Sequence, residues 1–411
     1  MKRLGYVMLG LACILRPDVP SQAGTISESA ATANSSVPPS GQINAAFGKR
    51  IARFRHKASI IDFAWSMDGQ RLAALAMMDR EAFLWDIPSG RTITHFTRSG
   101  SQPAAIAFTP DDRYLAMSST VIRIKSSTDP SLNDISTSIS LFDGRTGALV
   151  RHLPSFVEGI THLTKGPQPV TRSAPEEILV AKQADLAAAF YTFEPFVTFY
   201  DGTSWERLGT ISIKDAADVL AHSAAISPDG KHFAAGGRVI VPSASTPSGR
   251  TVSDGDAQIV IFDVSTRRIE RRFAAHPNKI NTLAFSPDGR FLVSGAEVVG
   301  MPATAPGYAE TLQRDVGRIR VWNVASGERV RSYSVDVTQV TSVAWSPDGR
   351  LIAAAGSRRG DWKVYLLDAA SDRLLDSVNV DDCFRVAFGA DGKSIAYNDG
   401  ATLIVRAVAE K

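Results

Sequence analysis

From about residue 45 onward the chain alternates short apolar runs with polar turns in a recurring order. Four segments share one pattern: Ile60-Ile61-Asp62-Phe63-Ala64-Trp65-Ser66-Met67-Asp68-Gly69, Ile280 to Gly289, Val340 to Gly349 and Phe384 to Gly392. Looser versions run from Ala104 to Asp112 and from His222 to Gly230. Each run is too short for a helix, and each ends in a turn resembling Pro-Asp-Gly. Proline presets φ at the second turn position, Asp suits the third, and Gly takes the left-handed residue that closes a short hairpin loop. A second apolar run follows each turn, as in Arg71-Leu72-Ala73-Ala74-Leu75-Ala76 and Phe291-Leu292-Val293-Ser294. Every unit therefore opens with a predicted β-hairpin.

A second landmark closes each unit: Phe83-Leu84-Trp85-Asp86, then the equivalents ending at Asp143, Asp201, Asp263, Asn323 and Asp368. The spacings between these acidic or amide positions are 57, 58, 62, 60 and 45 residues. A polar turn and a fourth strand follow, as in Arg329-Val330-Arg331-Ser332-Tyr333. The last unit, 383–408, has three strands, and the segment Gly48 to Phe54 resembles the fourth strands elsewhere. The third unit, about 156–213, is the weakest, with the Pro-rich stretch 164–177 standing where its first turn is expected.

These residues resemble the WD-repeat β-propeller family, over about residues 45–408. Trp85-Asp86 matches the family's signature dipeptide and Trp322-Asn323 nearly does. The resemblance implies an all-β fold, a single seven-bladed propeller with four strands per blade, closed by pairing the N-terminal strand with the last blade. It also implies a loop-fixing network in which an Asp at the second hairpin's tip bonds a His before the first strand. The matching positions are Asp79, Asp256, Asp361 and Asp399, with His56 and His276 on the histidine side. Only the first unit has both members, so His56 with Asp79 is the pairing the resemblance supports.

The first residues read differently. A basic Met1-Lys2-Arg3, an apolar Leu4 to Leu15 and a small-residue Ser21-Gln22-Ala23 predict a secretory signal over 1–23. Lipid attachment at Cys13 is the alternative. Residues 24–44 are rich in Ser, Ala and Pro, and predict a disordered linker before a domain spanning 45–411. Removing 1–23 takes away Lys2, Arg3, Arg16 and Asp18, so the formal charge falls from +3 to +1. A nearly neutral domain offers no electrostatic case for nucleic acid, and no later segment is long and apolar enough to span a bilayer. Cys383 would then be the sole cysteine, read as a small buried hydrophobe in a monomeric domain.

No metal-ligand spacing, nucleophile elbow or phosphate loop appears, and neither a cofactor nor a catalytic residue is predicted. Gly392-Lys393-Ser394 reads as the repeat turn, and Glu176-Glu177 and Asp381-Asp382 as solvated loop charges. Two charges stand out. The position four before the turn Ser is small or hydroxylic in most units (Ala105, Ser223, Thr282, Ser342), but it is Asp62 in the first and Arg385 in the last. Ring closure would make these neighbours, which predicts an Asp62–Arg385 salt bridge across the closure seam.

Units two to five carry long second-to-third links, about 120–138, 183–195, 238–257 and 296–316. These would build a crown on one face. Its apolar residues Ile122, Ile124, Phe190, Tyr191, Phe193, Val239, Val241, Val299, Met301 and Tyr308 are the candidate contacts for a protein or peptide partner. The function expected is a non-catalytic scaffold, periplasmic or secreted. The alternative is an enzyme taking a small carbohydrate-like or lactone substrate in the central channel.

Overall fold

The computed structural model describes residues 45–76, 81–97, 101–123, 134–153, 177–192, 196–242, 250–252, 257–277, 279–297 and 319–410. They form a seven-bladed β-propeller. Six blades are consecutive antiparallel meanders of four strands, from Ile60–Trp65, Arg71–Ala76, Glu81–Asp86 and Arg91–Thr97 in blade 1 to Gln339–Trp345, Leu351–Arg358, Asp361–Asp368 and Leu374–Val380 in blade 6, with a fifth strand, Arg250–Val252, added in blade 4. Blade 7 takes Val386–Phe388, Ser394–Asp399 and Thr402–Glu410 from the C-terminus, and its outer strand is Ala45–Arg55. The N-terminal strand thus closes the ring as the pattern predicts. One short helix, Ile213–Ala217, links blades 3 and 4.

The turn chemistry has a common geometry. In blade 1 the Ser66 hydroxyl donates to Asp68 and accepts the Arg71 N–H at 2.9 Å, while Gly69 supplies φ +68°. Ser227, Ser286 and Ser346 repeat the arrangement. The landmark acids have a matching role at the other turn. Asp86, Asp143, Asp201, Asp263 and Asn323 each accept the N–H three residues on, at 2.6–3.0 Å. Hydrogen bonds from Ser265 and Thr266 hold the Asp263 carboxyl down at about 2.

Blade 3 corrects the sequence reading. Its first strand is Glu177–Ala181 and its first turn is Lys182 to Asp185, not the stretch 164–177. The segment 183–195 is therefore not a long link, because it contains the second strand, Leu186–Tyr191. This turn has no glycine and no positive-φ residue, so it lacks the signals that mark the others.

Hydrophobic core lies between blades rather than within them. Each of seven buried clusters joins one neighbouring pair. The seam cluster brings Phe54, Ala396, Leu403 and Val405 of blade 7 against Ile60, Phe63, Leu72 and Trp85 of blade 1. Close approach needs small residues. A Cβ on Gly295 would lie 2.4 Å from Val340 Cγ1 of the next blade.

Outer strands are stapled to their neighbours by charge-assisted bonds. At one register position Arg151, Arg271 and Arg331 reach carbonyls in the next blade's outer turn: Ser204, Ser326 and Ala370. Asp376 holds the same position in blade 6 and instead accepts the Phe47 N–H of the closing strand at 2.9 Å. These groups also break up outer strands that expose Ile51, Ile93, Leu149, Leu208 and Leu374, which protects free sheet edges. Arg331 donates from Nε at 3.2 Å and Nη2 at 2.7 Å to one carbonyl. Arg331→Ala is expected to cost about 1–2 kcal/mol in urea unfolding, the scale of a partly exposed charged hydrogen bond.

Candidate functional site

Seven first strands surround a central channel of about 430 Å³. The antiparallel meander puts all first and third turns at one face, the turn face. The first-strand starts and the second-to-third links lie at the other, the link face.

Blades are joined around the channel by the position four before the turn Ser. Thr282 Oγ1 accepts the Val343 N–H at 3.2 Å, and Ser342 Oγ accepts the Val386 N–H at 3.1 Å. Asp62 does the same for blade 2, taking the Ile106 N–H at 2.8 Å. At the seam the pattern cannot repeat, because Arg385 has no acceptor to offer the Phe63 N–H. Asp62 substitutes: its Oδ1 takes the Phe63 N–H at 2.9 Å and the Arg385 Nε at 3.0 Å. The expected seam pair is therefore present. Burial pushes the Asp62 pKa up, while Arg385 and the two backbone donors pull against that shift.

The same position in blade 3 is Glu177, four before Ala181. Glu177 lines the channel rather than a solvated loop, and so do Lys182 and Gln183. Sequence reading missed all three because it misplaced the blade 3 turn. Once that turn is fixed, the same count that found Asp62 and Arg385 finds Glu177. Asp382 is also no solvated loop charge: it accepts from Ser59 Oγ at 3.2 Å and from Asn398 Nδ2, and burial raises its pKa.

The loop-fixing groups that the structure describes make contacts other than an Asp–His bond. Buried His276 lies 2.7 Å from Ser294 Oγ, which also takes the Trp322 indole N–H at 2.8 Å. Ser294 was the missed member of this network. His56 is buried with an edge contact to Phe83, and Trp85 stacks on Phe54 at 5.0 Å. Asp399 accepts the Asp381 N–H at 2.7 Å, fixing the loop before the last blade. Asp361 is exposed at its hairpin tip, and no hydrogen bond ties it to a histidine among the described residues. Asp79 and Asp256 lie outside the described residues.

At the link face, two hairpins extend past the blade bodies. One pairs Thr120–Arg123 with Asp134–Thr137 in blade 2, and the other pairs Ile240–Pro242 with Arg250–Val252 in blade 4. Ile122, Val239 and Val241 lie on these strands. Phe190 and Tyr191 do not belong to a crown. Both are buried, at 0% and 6% exposure, in the second strand of blade 3, and are unavailable to a partner. Ile124, Phe193, Val299, Met301 and Tyr308 lie outside the described residues. Beside the blade 4 hairpin, His222 shares its surroundings with Arg238 and Lys279, and burial and these charges lower its pKa to about 4.

Two segments, 267–297 and 327–368, match the family described as "WD domain, G-beta repeat". Each runs from the outer turn or strand of one blade into the next, so the sequence repeat straddles the structural one. WD repeat-containing protein 36 of Homo sapiens is 33% identical over 100 residues, which is 24% of this chain and 9% of that protein. WD repeat-containing protein SL1-17 of Schistosoma mansoni is 27% identical over 160 residues, 39% of this chain and 46% of that protein. A WD repeat-containing protein of Synechocystis sp. is 25% identical over 169 residues, 41% of this chain and 38% of its own length. The chain spans less than half the length of each of these relatives.

Asp62→Ala removes the acceptor for two buried N–H groups and for Arg385. It is expected to cost about 3 kcal/mol in urea unfolding, more than Arg385→Gln, which leaves Asp62 both backbone donors. A second expectation concerns pH. In the unfolded chain His222 and His276 protonate near 6.5, but in the fold only at about 4 and about 3. Between these limits the unfolded state binds more protons, so stability is full above about pH 6.5 and falls as pH drops toward 4. The urea midpoint should be lower at pH 5 than at pH 7.5, and His222→Gln should shrink the difference. The variant isolates the imidazole from Asp62, Asp112 and Asp382, whose raised pKa values act in the opposite sense.

Proposed function

We propose that this propeller is a non-catalytic WD-repeat scaffold, exported from the cytoplasm, that binds a protein or peptide through its link face. The observation that carries the reading is the asymmetry of the two faces. Hydrogen bonds between turns and blades tie down the turn face. The link face instead projects two paired hairpins beyond the body, beside the basic side chains Lys279 and Arg238, with His222 held uncharged between them. Rigid blades that present projecting hairpins form a platform for recognition, not a cleft for chemistry. The match to WD repeats supports the same class, and the basic group favours a partner segment bearing carboxylates. Export rests on the N-terminal pattern alone, with release to the periplasm or medium as the outcome and attachment through Cys13 as its rival.

The test is affinity capture from cell-envelope extract with three proteins: the intact chain, one with 124–133, 243–249 and 298–318 cut to short turns, and Lys279→Glu. A partner retained by the intact chain and lost from both folded variants is the expected result. Equal capture by all three would sink the link face as the binding surface.

A further inference from the structure

The central channel holds two cations whose donors the fold does not use up. Arg385 gives its Nε to Asp62, and neither Nη nitrogen has a hydrogen-bond partner among the described residues, while the side chain remains 42% exposed to the channel. Lys182 enters from the blade 3 turn, which leans across the turn-face mouth. There the Gln183 N–H donates to Pro228 O at 2.8 Å, and Gln183 Nε2 donates to Pro287 O of blade 5 at 3.1 Å. Lys182 is open to water along the channel but walled by protein, and it forms no ion pair among the described residues. That desolvation and the Arg385 charge lower its pKa.

Two carboxylates share the channel region with these cations: Asp62, which pairs with Arg385 through Nε, and Glu177. Asp62 is taken up by Arg385 Nε and two backbone N–H groups, and Glu177 is engaged in an interaction of its own. Two like charges facing one enclosed space repel, and an anion between them would relieve that repulsion. The free Nη edge of a guanidinium is a planar donor pair that matches a carboxylate. The remaining wall is polar and apolar in nearly equal parts, with Leu179, Ala284 and Trp345 among its apolar members. A cavity of about 430 Å³ is on the scale of a small-molecule site.

We infer that the central channel binds the carboxylate of a small organic acid. The Arg385 Nη groups and Lys182 Nζ hold the anion, and the partly exposed Leu179, Ala284 and Trp345 take the body of the molecule. The site is reached from the turn face, opposite the hairpins, and does not depend on the scaffold reading.

Calorimetric titration of the purified protein with benzoate tests this, with benzamide as the neutral isostere and inorganic phosphate as the rival anion. Benzoate should bind saturably at one site and benzamide at least about tenfold more weakly, a difference of about 1.4 kcal/mol. Arg385→Gln should abolish benzoate binding. Because that variant also unpairs Asp62, Lys182→Gln provides an independent check: its side chain stands in the open channel, and it should weaken benzoate about tenfold with an unchanged circular dichroism spectrum. Benzoate binding no better than benzamide, or unaffected by Lys182→Gln, would overturn the site. Phosphate binding without benzoate would overturn the carboxylate assignment.

Discussion

Ring closure is the constraint on which the rest of this structure depends. A propeller blade buries little of its own; its apolar faces are covered only by the blades on either side. Seven interfaces therefore have to exist together, and the last can form only when chain ends about 350 residues apart in sequence meet. Ala45–Arg55 answers that need by completing blade 7, and Phe54 and Trp85 bury the junction. The cost is the entropy of closing a very long loop, but that cost grows only slowly with length. One strand's worth of pairing and one packed cluster are of the right scale to offset it.

How much of this was legible depended on local chemistry. Turns that need a left-handed residue show themselves, because Gly69, Gly230, Gly289, Gly349 and Gly392 are the residues that tolerate it. Asp112 takes the same conformation without being Gly, and its carboxylate clasps the Met67 and Asp68 N–H groups of the neighbouring turn. Such an exchange leaves no pattern in sequence, since the benefit lies in another blade. The blade 3 turn uses ordinary φ values and was misplaced, so Phe190 and Tyr191 were read as surface, and Glu177 and Lys182 were lost from the channel. The Asp62–Arg385 pair was readable for the opposite reason: two charges stood at one repeat position, and closure made them adjacent.

The outer staples and the buried networks show how the same fold tolerates variation between units. Where Arg151, Arg271 and Arg331 reach the next turn, the fourth strand has a fixed anchor. Where that position is Asp376, polarity inverts and the backbone becomes the donor. Ser294 likewise serves both His276 and Trp322, partnering a buried imidazole and an indole through one hydroxyl. Blades 2, 4, 5 and 6 thus fill the staple position with a charged group bonded to the next blade, whereas blade 3 has Gly209 there.

The seam shows how a structural solution can leave chemical capacity behind. At four other junctions a hydroxyl or small side chain (Ala105, Ser223, Thr282 or Ser342) holds this position, and blade 3 places Glu177 there. Placing Arg385 there forces a carboxylate nearby, and Asp62 can supply it only because it also takes over the backbone donor that Arg385 leaves without an acceptor. Three hydrogen bonds converge on Asp62 and hold it fixed, but they engage only one of the three guanidinium nitrogens. A guanidinium oriented from one side by a buried carboxylate keeps its charge and its remaining donors aimed in a set direction. That is the condition under which a cation recognises a ligand rather than merely attracting one. The residue that pairs across the seam is thus the same residue that presents free donors to the channel.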